Sequence, residues 1–206
     1  MNLKTVLKSV GKFGAGGLIA VAGCAQNLSG PEVMKLAREG GAVVSYNGLG
    51  FDVMEKVSGE ISDELGKLHV KGSRKGDNER FYEVLDEADI PGPGVWLLYH
   101  SLGCEDAFGL VKECKRRGIS VRVAYSVGAF AEHEFPDNVG VVNNYFSSTF
   151  YIFGEKPTRG GRENYSETID GSEHIGLPRK IKREIKDSIR RDCSRPLGYR
   201  RGVPRR

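Results

Sequence analysis

Short apolar runs alternate with stretches of helical spacing through the middle of this chain, and that alternation leaves few folds open. Ala42-Val43-Val44-Ser45-Tyr46, Leu68-His69-Val70, Val95-Trp96-Leu97-Leu98-Tyr99 and the runs over 120–127 and 139–146 read as buried strands. The stretches near 52–65, 78–88, 104–117 and 177–191 place apolar residues three or four apart, the period of one helix face. Apolar strands joined by amphipathic helices predict an α/β domain of three layers around a mostly parallel central sheet. At 206 residues the chain is long enough to bury one full core and short enough to leave little room for a cap over it. No internal repeat is present.

The tightest local constraint lies where one strand turns directly into a helix. Pro91-Gly92-Pro93-Gly94 sets off the strand from Val95, and Ala107, Leu110, Val111 and Cys114 form the helix stripe that ends at Gly118. Between them stands Tyr99-His100-Ser101-Leu102-Gly103. A sharp turn of this kind exposes the hydroxyl of its serine and aims the next backbone N–H at the same reacting atom. Ser101 is therefore the candidate nucleophile. Tyr99 stands where the pattern G-x-S-x-G has its first glycine, and Gly103 supplies the second.

Two further segments complete a chemistry for that serine. The loop Asn47-Gly48-Leu49-Gly50 follows the first strand, so the N–H groups of Leu49 and Leu102 form a candidate oxyanion hole. Each such donor stabilises a tetrahedral intermediate by roughly 3 to 4 kcal/mol. Late in the chain, His174 lies in a polar loop just before Pro178 and a helix striped by Leu177, Ile181, Ile185 and Ile189. A neutral imidazole there is placed to accept the serine proton. His69, on a strand, His100, at the turn, and His133, in a loop, are its competitors.

Taken together, Tyr46 to Gly50, His100 to Gly103, Arg117 to Val123 and Val142 to Phe146 with the later His174 resemble a small α/β-hydrolase of the lipase and esterase kind, bacterial or phage-type. The resemblance spans about Ala42 to Arg191. It implies a three-layer hydrolase fold, Ser101 as nucleophile, His174 as base, Leu49 and Leu102 as oxyanion donors, and a small-molecule or lipid ester as substrate. In that family the strand after the nucleophile helix ends in an aspartate; here it ends in Gly128. Glu132, Glu134, Asp137, Glu155 and Asp170 are the carboxylates at hand, and Glu132, nearest the empty position, is the expected acid. Restoring a carboxylate by Gly128→Asp is expected to raise activity if the present acid is poor.

The ends of the chain differ from its middle. Residues 1–23 carry Lys4, Lys8 and Lys12 ahead of a short apolar stretch ending Val21-Ala22-Gly23-Cys24, which reads either as a lipoprotein leader with Cys24 lipidated or as a flexible N-terminus. Residues 24–40 read as a linker, 41–192 as the hydrolase-like domain and 193–206 as a disordered basic tail. From Pro178 onward, 12 Lys and Arg face only Glu184, Asp187 and Asp192, a balance suited to an anionic partner. No nucleic-acid recognition fold accompanies it. Cys104, Cys114 and Cys193 have no metal-ligand spacing, so no metal and no cofactor is expected. A processed leader implies the bacterial envelope with membrane anchoring through Cys24; otherwise the cytoplasm or a virion is implied. Two functions follow: cleavage of a carboxylic ester or thioester, or a non-catalytic attachment role on the same scaffold.

Overall fold

Six parallel strands form the central layer of the computed structural model, which describes residues 41–48, 52–72, 94–149 and 154–193. In chain order the elements are β1 (Ala42–Tyr46), α1 (Val53–Leu65), β2 (Leu68–Lys71), β3 (Val95–His100), α2 (Cys104–Arg116), β4 (Val121–Val127), β5 (Glu134–Phe135), β6 (Val139–Ser147), β7 (Arg159–Gly160), β8 (Glu163–Ile169) and α3 (Leu177–Cys193). The sheet runs β2-β1-β3-β4-β6-β8, each pairing parallel, and the short β5 and β7 pair apart from it. This is the α/β architecture that the strand–helix alternation predicts. The expected helix near 78–88, the leader with Cys24, the linker and the basic tail beyond Cys193 lie outside the described residues.

Burial explains why the strand runs are apolar throughout. Val95, Leu97 and Tyr99 of β3 join a core with Ala107, Leu110, Val111 and Cys114 of α2, while Trp96 and Leu98 point to the other face. That second face is covered by Met54, Val57 and Ile61 of α1 and by Leu177, Ile181, Ile185 and Ile189 of α3. A strand buried on both sides has no polar side to alternate with. Charge placement agrees with the helix directions. Glu105 and Asp106 open α2 and Lys115 and Arg116 close it, opposing the partial charges of its ends.

One irregularity sets the register of β3. Val95 pairs with Val121 but Trp96 pairs with Val123, so Arg122 is an extra residue on β4. A bulge of this kind reverses inward and outward side chains beyond it. Val121 accordingly joins the α2 face and Val123 the α1/α3 face. Arg122 leaves the ladder, lies 5.4 Å over the Trp96 ring and reaches Asp192 at 2.6 Å. Trp96 Nε1–H donates to the same carboxylate at 2.9 Å, so the end of α3 is tied to the middle of the sheet.

The topology also selects where a site forms. β1 has β2 on one side and β3 on the other, so the chain reverses its direction of travel across the sheet at β1. Loops leaving two strands at such a switch diverge and open a crevice at the carboxyl ends. Gly48 follows β1 and Ser101 follows β3, which puts both at that crevice.

Asp192→Ala is expected to lower the unfolding free energy by about 2 kcal/mol, because it leaves the Trp96 indole N–H without its acceptor and removes the carboxylate paired with Arg122, whose guanidinium keeps the Asp192 backbone carbonyl. Trp96 is the single tryptophan, so its fluorescence in a urea titration should report an earlier midpoint with an unchanged slope.

Candidate active site

The turn after β3 is built from three consecutive constraints. β3 ends at His100, residues Ser101 to Gly103 form one turn of 3-10 helix, and α2 starts at Cys104. Among the described residues Ser101 is the one non-glycine in the left-handed region, at φ 57°, a conformation that costs a residue with a Cβ roughly 1 to 2 kcal/mol. Strain held at one serine between a strand and a helix is the backbone of the turn expected from the sequence, but Ser101 is buried rather than exposed, because the loop after β1 packs against it. Two glycines make the room. A Cβ on Gly48 would lie 2.5 Å from Ser101 Cβ and 2.8 Å from its Oγ, and one on Gly103 would lie 2.9 Å from the carbonyl oxygen of Asn47. The loop after β1 therefore passes directly against the serine hydroxyl. Leu102 follows Ser101 in the turn and is half-buried; Leu49 lies outside the described residues.

His174 sits in the turns between β8 and α3 and comes to the same end of the sheet. The carbonyl oxygen of His174 accepts from His100 Nε2 at 3.0 Å, and the two rings lie 4.5 Å apart. Phe130 stacks on the other side of the His174 ring at 4.7 Å. The structure thus brings the histidine from the end of the chain against the residue next to Ser101. His100 is a wedge in this arrangement. Burial, and then the charge of His174, push its pKa down to about 4, so the ring stays neutral near pH 7 with its proton on Nε2.

The carboxylate beside His174 differs from the expected one. Glu132 does not reach His174; it is exposed and pairs with Arg159 at 2.8 Å. Asp137 pairs with Lys115, Glu134 is exposed on β5, and Asp170 offers its backbone carbonyl to Lys180. Glu155 takes the place instead, with Oε1 at 2.8 Å from His174 Nδ1 and Oε2 accepting the N–H of Ser147 at 2.8 Å. Both side chains are buried, at 8% and 5% exposure for histidine and glutamate. Ser147 is the hinge of the arrangement, since its Oγ donates to the carbonyl of Ser172, two residues before His174. Glu155 follows β6, one strand beyond the empty position, and still falls between serine and histidine along the chain.

Gly128 is empty for a steric reason. Its φ is +56°, and a Cβ there would lie 2.8 Å from His174 Nδ1 and Cε1 and 2.9 Å from Glu155 Oε1. The space a carboxylate on β4 would fill is occupied by the pair itself, which reverses the expected effect of Gly128→Asp. The other histidines serve elsewhere. His69 Nε2 contacts Ser45 Oγ at 2.9 Å, and His133 stacks on Phe108 with Nε2 3.4 Å from Glu105. Cys104, Glu105 and His133 each bring a ligand-type atom within 4.8 Å of the others, a grouping that cysteine spacing does not reveal.

Two outcomes are expected. Gly128→Ala and Gly128→Asp should both displace His174 from Glu155, read as loss of the imidazole N–H resonance at low field in proton NMR. His100 is held neutral in the folded state, so its contribution to stability is present above its unfolded value near 6.5 and is lost as pH falls toward about 4. That loss is about 3 kcal/mol. Thermal unfolding between pH 7 and 4 should show a shallower decline in His100→Gln than in the parent chain.

No family model matches the chain, and no curated protein matches it. Among solved structures, the RedJ thioesterase from the prodiginine biosynthetic pathway in Streptomyces coelicolor is similar at 11% identity and a TM-score of 0.44, over 71% of this chain and 89% of that one. RedJ with a PEG molecule bound in its active site is similar at 11% identity and a TM-score of 0.42, over 73% and 91% of the two chains.

Proposed function

We propose that this protein is a serine hydrolase that cleaves a carboxylic ester or thioester, with Ser101 as nucleophile, His174 as general base and Glu155 as the carboxylate that orients it. The observation that carries this reading is the buried Glu155–His174 pair, set against the turn in which Ser101 holds a left-handed backbone. A carboxylate on Nδ1 keeps the proton on that nitrogen and leaves the Nε2 lone pair for the serine. Ser101 Oγ attacks the carbonyl carbon while its proton passes to His174 Nε2. The oxyanion of the tetrahedral intermediate accepts from the N–H of Leu102 and from a second donor in the loop after Gly48, where Leu49 is the proposed residue. Collapse expels the alcohol or thiol, which takes the proton from His174. Water then repeats the sequence on the acyl-serine and releases the acid. The substrate is a small-molecule or lipid ester of the kind lipases and esterases take. The non-catalytic alternative rests on Gly128 and Tyr99, and a buried carboxylate on His174 speaks against the first of these two grounds.

A fluorophosphonate probe should label Ser101, located by peptide mass spectrometry, and Ser101→Ala should abolish both labelling and hydrolysis of short acyl esters. Glu155→Gln should reduce kcat by a factor of roughly 100 or more with little change in KM, whereas Glu132→Gln should leave both within about twofold. Labelling elsewhere in the chain, or equal losses in the two amide variants, would overturn the assignment.

A further inference from the structure

The sequence pattern leaves one residue of the elbow unexplained. Tyr99 occupies a position that G-x-S-x-G gives to glycine, yet its side chain is fully buried. Its hydroxyl donates to Thr158 Oγ1 at 2.7 Å. Thr158 is itself fully buried and lies three residues after Glu155. Ser126 of β4 approaches the same Oγ1 at 3.3 Å. Asn144 of β6 reads the Thr158 backbone in both directions, accepting its N–H at 2.8 Å and donating to its carbonyl at 3.1 Å. Three neighbouring strands, β3, β4 and β6, thus direct one polar side chain each at a single threonine.

The segment held in this way carries the acid. Lys156 N–H donates to the Ala129 carbonyl at 2.7 Å, and Pro157 fixes φ between that bond and Thr158. Glu155 extends from a loop rather than from a strand end, and it has one more rotatable bond than an aspartate. A longer, loop-borne side chain needs its backbone fixed if the carboxylate is to hold Nδ1 in one geometry, since small misplacements in such sites are costly.

Resting on the hydrolase reading above, we infer that Tyr99 is a positioning residue: its hydroxyl, through Thr158, fixes the loop that aims Glu155 at His174. The tyrosine at the glycine position is then the counterpart of the glycine at position 128. One replaces the small residue of the elbow to anchor the acid loop, and the other clears the space the acid enters.

The test compares Tyr99→Phe, Thr158→Val and Thr158→Ser with Tyr125→Phe in the full chain. Tyr125 is as buried as Tyr99 and donates its hydroxyl to Ser188 Oγ at 2.9 Å, on the α3 side of the sheet, so it controls for loss of a buried phenol bond. Tyr99→Phe and Thr158→Val should each lower kcat on the order of ten- to a hundredfold with KM unchanged, and slow fluorophosphonate labelling of Ser101 in parallel. Thr158→Ser should restore most of the rate. Tyr125→Phe should lower the melting temperature comparably and leave kcat alone. Wild-type kcat in Tyr99→Phe, or an equal fall in Tyr125→Phe, overturns the positioning role while Ser101 still labels. If Tyr99→Phe does not fold, the Thr158→Val and Thr158→Ser pair decides alone. Absence of labelling at Ser101 in the parent chain overturns the hydrolase reading itself and the positioning role with it.

Discussion

The carboxylate of Glu155, buried at 5% exposure, is the constraint around which the carboxyl end of the sheet is arranged. An ionised carboxylate removed from water is tolerated only where hydrogen bonds replace its hydration. Two are supplied, one by the Ser147 N–H on β6 and one by His174. The pair they form needs walls: Phe130 stacks on the imidazole and His100 packs against it at a tilt. It also needs a gap, which Gly128 leaves by lacking a Cβ. Removing either hydrogen bond leaves one carboxylate oxygen without its donor, and residues that look independent along the chain are coupled through one oxygen pair.

The sheet makes that coupling possible because its strands all run the same way. Parallel strands deliver their following loops to one edge, so Gly48, Ser101, Gly128, Glu155 and His174, from five separate loops, meet there. Short side chains suffice for the serine, which rides on a turn held by β3 and α2. Glu155 and His174 come from longer connections and depend on polar ties between them, such as Ser147 Oγ to the Ser172 carbonyl. Rigidity is thus graded across the site, from apolar packing under Ser101 to hydrogen bonding under Glu155.

Much of this was legible in the amino-acid order. The strands over 42–46 and 95–99 and the helix stripes at 104–117 and 177–191 are read correctly because burial on both faces leaves an unbroken apolar signal. The turn that carries Ser101 and the loop that carries His174 are likewise visible, one between two periodicities and the other from its place ahead of α3. β8 is not visible. Its residues Glu163 to Thr168 are exposed, and a polar edge strand carries no apolar alternation to detect. Nearness along the chain points to Glu132 rather than Glu155, a measure that fails in a parallel sheet. Adjacent strands there are neighbours in space while their ends are tens of residues apart. Tyr99 gave a sequence signal, as a mismatch at the elbow, but only the fold shows what the phenol touches.

The same polar edge has a colloidal consequence. Among the described residues β8 is the last strand of its sheet, with a row of backbone groups on its outer side. Such a row is a template on which another chain can crystallise a seventh strand. Glu163 and Glu167 project from it into solvent beside the exposed ring of Tyr165. A second molecule docking the identical strand would bring carboxylates against carboxylates and strip water from them together. The edge is open in geometry and closed in electrostatics, so neutralising those two glutamates would remove the charge barrier to edge-to-edge strand association.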